Sequence, residues 1–548
     1  MKSVDLQHRI TAPAILALCL PAALIEKFSG RFTVQGSNYF FQDPFHQGEY
    51  FAVAQSLSDT AGSPFPALSI HGALDYIPYL LISSLSDTHY SFLPTFFLYC
   101  LLGLIACLLV SILGIRLSDQ PRPGLPALCL ALSAAFTVGY RDLFLLLCLL
   151  LFYLLIKPGY SRQIRRAQQV AFGLSMALGL VWSFDRGIAA CLALGTATLV
   201  LLPRQRDYLI ALAMFVLTLA LAGLIHPILS PASLLENILV LMRTSAQWRL
   251  AAGPQTTPLI EFAVQLNILA VLGCWFSHWR AHSLKKALSE LIALSLLAAL
   301  FTKIGTNRAD PEHIHYALWI PMLLAIRTPC IQSRMQWLFG AAAIWLLWQS
   351  FLIGLEHTTF VPALAAACLL QANTPRYTGQ RFVANLALCA SLLFSVYIFA
   401  LSQDVDPELT QSRYGWVTPL IKKQLDQDTV APDIQWASAE LQRHKAHCVF
   451  DLANHGLING LTRLPACSRF TYPVYASADY EDELINDVKL SNVPVLIYSS
   501  TFWSYNIDGR SMKQRFPALD AFIIQHYPIE TCRATLCLRY QEGLRDHE

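Results

Sequence analysis

The chain has 548 residues, of which 55% are hydrophobic and only 14% charged, with a mean hydropathy of +0.45. Soluble domains carry about 25% charged residues, so most of this chain is expected to be solvated by lipid rather than water. A formal net charge of +3 gives no reason to expect nucleic acid as a partner, and the placement of the charges is more informative than their sum.

Residues 11–25 are apolar and follow Lys2 and Arg9. Glu26 and Lys27 then stand where a cleavage site would need small residues, so the segment reads as a membrane anchor rather than a cleaved leader. A polar, aromatic outer loop follows over 29–89 and opens on Asn38-Tyr39-Phe40-Phe41-Gln42-Asp43-Pro44-Phe45-His46-Gln47-Gly48-Glu49. It continues to His71 and Asp75, and residues 76–84 are expected to lie partly buried along the membrane surface. Apolar runs at 11–28, 90–115, 125–140, 143–157, 169–183, 187–203 and 208–229 mark transmembrane helices. Further runs lie at 258–277, 287–302, 314–326, 335–354, 360–371 and 382–401, which makes about thirteen spans.

Alternate connections carry an excess of Lys and Arg with few acids: Lys2 and Arg9, then Arg116 and Arg122, then Lys157, Arg162, Arg165 and Arg166. The series goes on through Arg204 and Arg206, Arg280, Lys285 and Lys286, Arg327 and Arg334, and Arg376 and Arg381. These connections read as cytoplasmic, so the N-terminus is expected inside and, after an odd number of spans, the C-terminus outside.

After residue 402 the composition turns polar and the apolar periodicity changes. Short buried strands are expected at 448–452, 493–498 and 535–540, with helices near 434–445, 480–489 and 513–526. The predicted fold class is therefore an α-helical multi-pass membrane domain, 1–402, followed by an extracytoplasmic α/β domain, 403–548. Of 14 cysteines, four (Cys448, Cys467, Cys532 and Cys537) lie in that polar region, where an extracytoplasmic setting permits two disulfides of unspecified pairing. The others are scattered through apolar segments or a short loop and read as small hydrophobes.

The chemistry-bearing residues gather in the outer connections. Asp43-Pro44 has a structural reading, since Asp is a favoured N-cap and Pro a favoured first helical residue, with His46 and Glu49 following at three-residue steps. The same carboxylate, ringed by Tyr39, Phe40, Phe41 and Phe45, would be partly desolvated and suited to take a hydroxyl proton. Glu49 is the second candidate base, and His46 would orient either carboxylate or ligate a metal. Arg141-Asp142 and Asp185-Arg186 read equally well as interfacial ion pairs that anchor spans or as parts of a site. Arg243, Trp248 and Arg249 fall on an amphipathic segment, 234–249, where snorkelling is the bland account. The run from Lys303 through Arg308, Asp310 and His313 to His315 sets cations at a membrane mouth, a cradle suited to phosphate oxygens.

An acid in a long first outer loop, many spans, the outer segments 182–187 and 303–315, and an extracytoplasmic α/β tail together resemble the GT-C superfamily of membrane glycosyltransferases. The segment Phe450-Asp451-Leu452-Ala453-Asn454-His455, followed by Arg469-Phe470-Thr471-Tyr472-Pro473, is similar to the tail domain of bacterial members. The resemblance implies a bacterial inner-membrane enzyme that takes sugar from a polyprenyl-phosphate donor, with inversion at the sugar carbon, and passes it to a glycan, lipid or protein hydroxyl. It implies Asp43 as the base, and Arg141, Arg186, Arg243, Lys303, Arg308 and His313 around the donor phosphate. Tyr39, Asp185, Trp248, Asp310, Asn454 and Tyr472 would meet sugar or acceptor; in Asn454 and Tyr472, knitting the domain together is an equal alternative. A divalent metal is not implied, because the paired acidic motif of oligosaccharyltransferases is absent. The rivals are a flippase or transporter of lipid-linked saccharides, which needs charges inside the spans, a polymerase of lipid-linked repeat units, and a scaffold.

Overall fold

The computed structural model describes residues 12–29, 44–58, 68–85, 92–118, 124–157, 159–201, 208–248, 253–254, 256–307, 311–329, 334–357, 359–374, 378–404, 432–498, 511–534 and 536–542. Tyr39, Asp43, Arg308 and Asp310 of the expected site lie outside these residues.

In chain order the helices are α1 (Ala12–Ser29), α2 (Pro44–Ser58), α3 (Ile77–Leu85), α4 (Phe92–Leu117), α5 (Gly124–Thr137), α6 (Leu143–Ile156), α7 (Arg162–Trp182) and α8 (Phe184–Leu201). They continue as α9 (Tyr208–Ile225), α10 (Pro231–Trp248), α11 (Thr257–Arg280), α12 (Leu284–Asn307), α13 (Pro311–His315), α14 (Trp319–Arg327), α15 (Arg334–His357), α16 (Val361–Asn373) and α17 (Thr378–Asp404). The polar C-terminal part adds α18 (Pro432–Arg443), α19 (Leu457–Thr462), α20 (Glu481–Ser491), α21 (Met512–Arg515) and α22 (Pro517–His526). Its strands are β1 (Val495–Tyr498), β2 (Ile529–Arg533) and β3 (Leu536–Tyr540).

Among the described residues five helices are long and apolar enough to cross a membrane: Phe97–Leu117 of α4, then α9, α11, α12 and α15. A sixth arises if α5 and α6, bent 112° from one another, count as one broken span. The sequence expectation of about thirteen treated every apolar run as a crossing. A helix of 14 residues such as α5 or α6 reaches only about 21 Å, short of a hydrocarbon core of about 30 Å. α16 is shorter again, at 13 residues, and is buried from Val361 through Leu370 on every face, which is the pattern of a core helix.

The chain divides into two compact units. The first takes residues 1–30, 100–221 and 251–410 and is a helical bundle. Its core runs through Leu149 and Phe152 of α6, Leu294 and Phe301 of α12, Trp319 and Leu323 of α14, and Leu364 and Cys368 of α16. Outward it presents Leu212, Val216 and Leu217 on α9, and Trp337, Trp345 and Trp348 on α15. Such apolar facing is what a lipid solvent requires.

The second unit gathers 31–99, 222–250 and 411–548, so the first outer loop and α10 pack with the C-terminal region. Its sheet has the order β1-β3-β2, antiparallel throughout, with Val495 opposite Tyr540 and Ile529 opposite the same Tyr540. Residues 448–452, expected as a strand, contribute only the parallel bridges Val449–Ala466 and Asp451–Ile497. The helix expected at 513–526 is divided at Phe516, because Pro517 cannot supply the N–H that would continue it. Disulfides join Cys448 to Cys467 and Cys532 to Cys537.

Candidate functional site

In the second unit α2 carries the outer-loop acid, and two glycines decide where it sits. A Cβ on Gly48 would stand 2.5 Å from the Leu457 nitrogen and 2.9 Å from Gly456, and one on Gly456 would stand 2.2 Å from the Gly48 carbonyl. Backbone therefore meets backbone where α2 crosses the start of α19. The contact is tied by the Gly456 N–H donating to the Tyr472 hydroxyl at 3.0 Å, and by the Ala466 N–H donating to Ser56 Oγ at 2.9 Å. Ala52, Ile70, Tyr472, Val474 and Tyr475 form the apolar cluster beneath.

That crossing fixes Glu49, which is 1% exposed. The His71 imidazole faces it, with Nδ1 3.6 Å from Glu49 Oε1 and 2.9 Å from Asp75 Oδ1. Asp75 is held in turn: its Oδ2 accepts the His71 backbone N–H at 2.8 Å and Ser69 Oγ at 3.1 Å. Ser69 also donates to the Gly72 carbonyl at 2.6 Å, closing the 3-10 turn Ala73–Asp75. The Tyr99 hydroxyl caps that turn at the Leu74 carbonyl, and its ring stacks on Tyr50 at 4.7 Å. Burial first, and then the nearby Glu49 carboxylate, push the Tyr472 phenol well above its ordinary range.

Glu49, His71 and Asp75 each offer a ligand atom, all within 4.8 Å of one another. Two carboxylates and an imidazole would suit a divalent cation of hard or borderline character, and the hydrogen bond from His71 to Asp75 also accounts for the grouping without one. Glu530, Cys532 and Cys537 are comparably close, but the two sulfurs are already joined to each other.

Next to this group the turn 451–456 is buried. Asp451 accepts the Ala453 N–H at 2.8 Å and the His455 N–H, while Asn454 adopts a left-handed backbone at φ 54°. Burial pushes the Asp451 carboxyl up to about 7 against the lowering effect of these N–H donors. Tyr472 and Asn454 are thus both interior residues of the second unit, at 0% and 1% exposure.

The first unit contains a second buried charge group. Arg186, 1% exposed at the start of α8, donates from Nε to Asp142 Oδ1 at 2.6 Å and from Nη1 to Asp185 Oδ2 at 2.9 Å. The rings of Phe301 and Tyr316 each lie 4.8 Å from its guanidinium carbon. Asp142 also accepts the Gly139 N–H at 2.9 Å, and the Trp182 indole N–H donates to the Tyr140 carbonyl at 2.9 Å. Gly187 lets α8 fold back on α7, since a Cβ there would meet the Leu180 backbone at 2.3 Å. Two consecutive pairs in the sequence, Arg141-Asp142 and Asp185-Arg186, are therefore cross-linked to each other. Around this group His313 meets the Tyr316 ring at 5.5 Å, and Lys303 is exposed with Nζ 3.5 Å from Asn307 Oδ1.

Of the remaining expected residues, Arg243 is exposed on α10, while His46 and Trp248 lie in α2 and α10. Sequence reasoning chose neither His71 nor Asp75 for the site, although both were visible as charges in the same loop. It also missed an ion pair at the other end of α12, where Arg327 Nη2 donates to Glu290 Oε2 at 2.9 Å and Nη1 to the Leu117 carbonyl at 3.1 Å. The available signal was Glu290 itself, an acid inside an apolar run, which calls for a cation nearby.

No known family profile matches the chain, and no curated protein matches its sequence. Among solved structures it is similar to ArnT from Cupriavidus metallidurans bound to undecaprenyl phosphate, at 13% identity and a TM-score of 0.46, covering 96% of this chain and 97% of that one. It is also similar to the Archaeoglobus fulgidus oligosaccharyltransferase in its apo form, at 12% identity and a TM-score of 0.46, covering 94% and 72%. The archaeal oligosaccharyltransferase AglB from the same organism, in complex with an inhibitory peptide and a dolichol-phosphate, gives 13% identity and 0.43 over 94% and 72%. Scores of this size assign no role to any residue.

Proposed function

We propose that the protein is an inverting glycosyltransferase of the GT-C type, which moves a sugar from a polyprenyl-phosphate donor to an acceptor hydroxyl on the extracytoplasmic face of a bacterial inner membrane. The observation that carries this reading is the buried Glu49–His71–Asp75 group, built by the first outer loop against Tyr472 of a disulfide-bonded region. Glu49 takes the acceptor proton as the hydroxyl oxygen attacks the anomeric carbon and the bond to the lipid phosphate breaks. His71 is a positioning residue: Asp75 fixes its ring at Nδ1, the same nitrogen that lies 3.6 Å from Glu49 Oε1. In the first unit, taken by itself, Lys303, His313 and Arg141 are proposed as phosphate-binding cations, with Arg308 lying between Lys303 and His313 in sequence. Arg186, whose donors already meet Asp142 and Asp185, serves them as an internal counter-charge.

Asp43 is the other candidate base of the loop, and a paired assay with a polyprenyl-phosphate sugar separates the two. Glu49→Gln is expected to lower turnover by about 10²–10⁴-fold, with the donor still bound, while Asp43→Asn keeps most of the rate. The opposite outcome moves the base to Asp43. Full activity in both variants would remove Glu49 and Asp43 from the chemistry and sink the proposal.

A further inference from the structure

α10 has two faces, and only one of them is accounted for by the second unit. Leu234, Asn237, Val240 and Thr244 are buried, with Leu241 packed against the Ile70–Tyr475 cluster. One flank is fastened by Glu236 to Arg469 at 3.3 Å, and the end by Gln247, which accepts the Ala478 N–H at 3.0 Å. On the opposite side Leu235, Leu239 and Met242 are 57%, 43% and 69% exposed. At 3.6 residues per turn these three and the exposed Ala246 point within about 60° of one another. Arg243, also exposed, borders the stripe.

We propose that this stripe lies in the membrane interface, with Leu235, Leu239 and Met242 at the acyl boundary of the phospholipid leaflet and Arg243 among the headgroup phosphates. Three observations select lipid rather than another protein. α10 follows α9 after a short turn, and of the five described helices long and apolar enough to cross a membrane α9 is the least buried inside the protein. The last turn of α9 leaves Leu224 and Ile225 at 82% and 80% exposure, so apolar surface continues up to the connection. That connection is short and bonded within itself: Ser230 Oγ accepts the Ser233 N–H at 3.2 Å, Ser233 Oγ donates to the Pro227 carbonyl at 3.0 Å, and a Cβ on Gly223 would stand 3.0 Å from Ser230. An amphipathic helix with a narrow apolar stripe and a basic border, leaving a membrane helix through such a turn, has the features of an in-plane segment. Snorkelling of Arg243 toward phosphate is then compatible with its neighbours entering the apolar layer. None of this depends on the glycosyl-transfer reading.

The test uses the full-length protein reconstituted in bilayers of phosphatidylethanolamine and phosphatidylglycerol, with p-benzoylphenylalanine placed singly at Leu239, Met242 or, as the buried control, Val240. After irradiation, mass spectrometry is expected to find phospholipid adducts at Leu239 and Met242, and loss of that adduct at Val240. Adding Arg243→Gln is expected to remove any preference for phosphatidylglycerol while leaving the adduct itself. Peptide adducts at Leu239 and Met242 would show that a protein, or a second copy of this chain, covers the stripe and overturn the proposal. So would the absence of lipid adducts at both positions when the same probe at Leu217 of α9 yields them.

Discussion

The two buried charge groups answer the same problem in opposite ways. Around Arg186, one guanidinium meets two carboxylates and two aromatic faces, and Arg141 is close enough to be felt electrostatically. Two cations and two anions balance there, which is the condition for keeping charge out of water cheaply. Around Glu49 the named contacts are one imidazole facing two carboxylates, beside the high-pKa phenol of Tyr472. The first arrangement is a fastening that cross-links α8 to the turn before α6. In the proposed reading the second holds the acid that takes the acceptor proton, which a fastening would not do. On that reading, what separates the two groups is the chemistry around each carboxylate, since both groups are buried.

The sharpest way to break this contrast is Arg186→Ala. It leaves Asp142 buried without its counter-charge and should cost about 3–5 kcal/mol, read as a loss of the folded, monodisperse protein or a fall in its melting temperature in detergent. An unchanged melting temperature would deny the balanced group its structural role.

Gly48→Ala comes next. The new methyl group must enter the space of the Leu457 nitrogen and Gly456, and overpacking of that kind costs about 1–3 kcal/mol. Amide exchange across α19 should accelerate, whereas Gly195→Ala in α8, where a Cβ meets nothing within 4 Å, should raise stability slightly through helix propensity. Equal effects from the two would mean that the α2–α19 crossing is not a tight contact.

The smallest expected effect is a pH slope. Asp451 has its carboxyl raised to about 7 from an ordinary 3.8, and Asp487 is raised to about 6, burial being the leading cause in both. Between pH 4 and 7 the folded state keeps protons on these two groups that the unfolded state has lost, so their contribution to stability is largest below about 4, falls as pH rises through this window, and levels above 7. One pH unit changes it by at most about 1.4 kcal/mol for each group. Exchange of the Ala453 and His455 amides, followed from pH 5.5 to 7.5, should speed beyond the intrinsic trend, and Asp451→Asn should flatten the excess. A slope unchanged in that variant would place its origin elsewhere.

Much of this was readable along the chain. The helical runs, the polar C-terminal region with its four cysteines, and α18 and α20 close to their expected bounds follow from local composition and period. Glu49 was visible as an acid at a three-residue step in a loop that folded into α2. His71 and Asp75 were visible only as charges, because what makes them partners is a 3-10 turn closed by Ser69. Gly48 and Gly456 carried no signal singly, since a glycine reports a close approach only when its opposite number is known.

What local order sets in a chain of this kind is where lipid can be the solvent, because mean hydropathy over a helix length is a sum over neighbours. It also sets which residue types stand at helix ends. Whether Asp142 faces Arg186 or Glu290 faces Arg327, and which carboxylates share His71, belongs to the packing alone. Coulomb and hydrogen-bond energies depend on separations of a few ångströms, and residues far apart along the chain reach such separations only when helices cross.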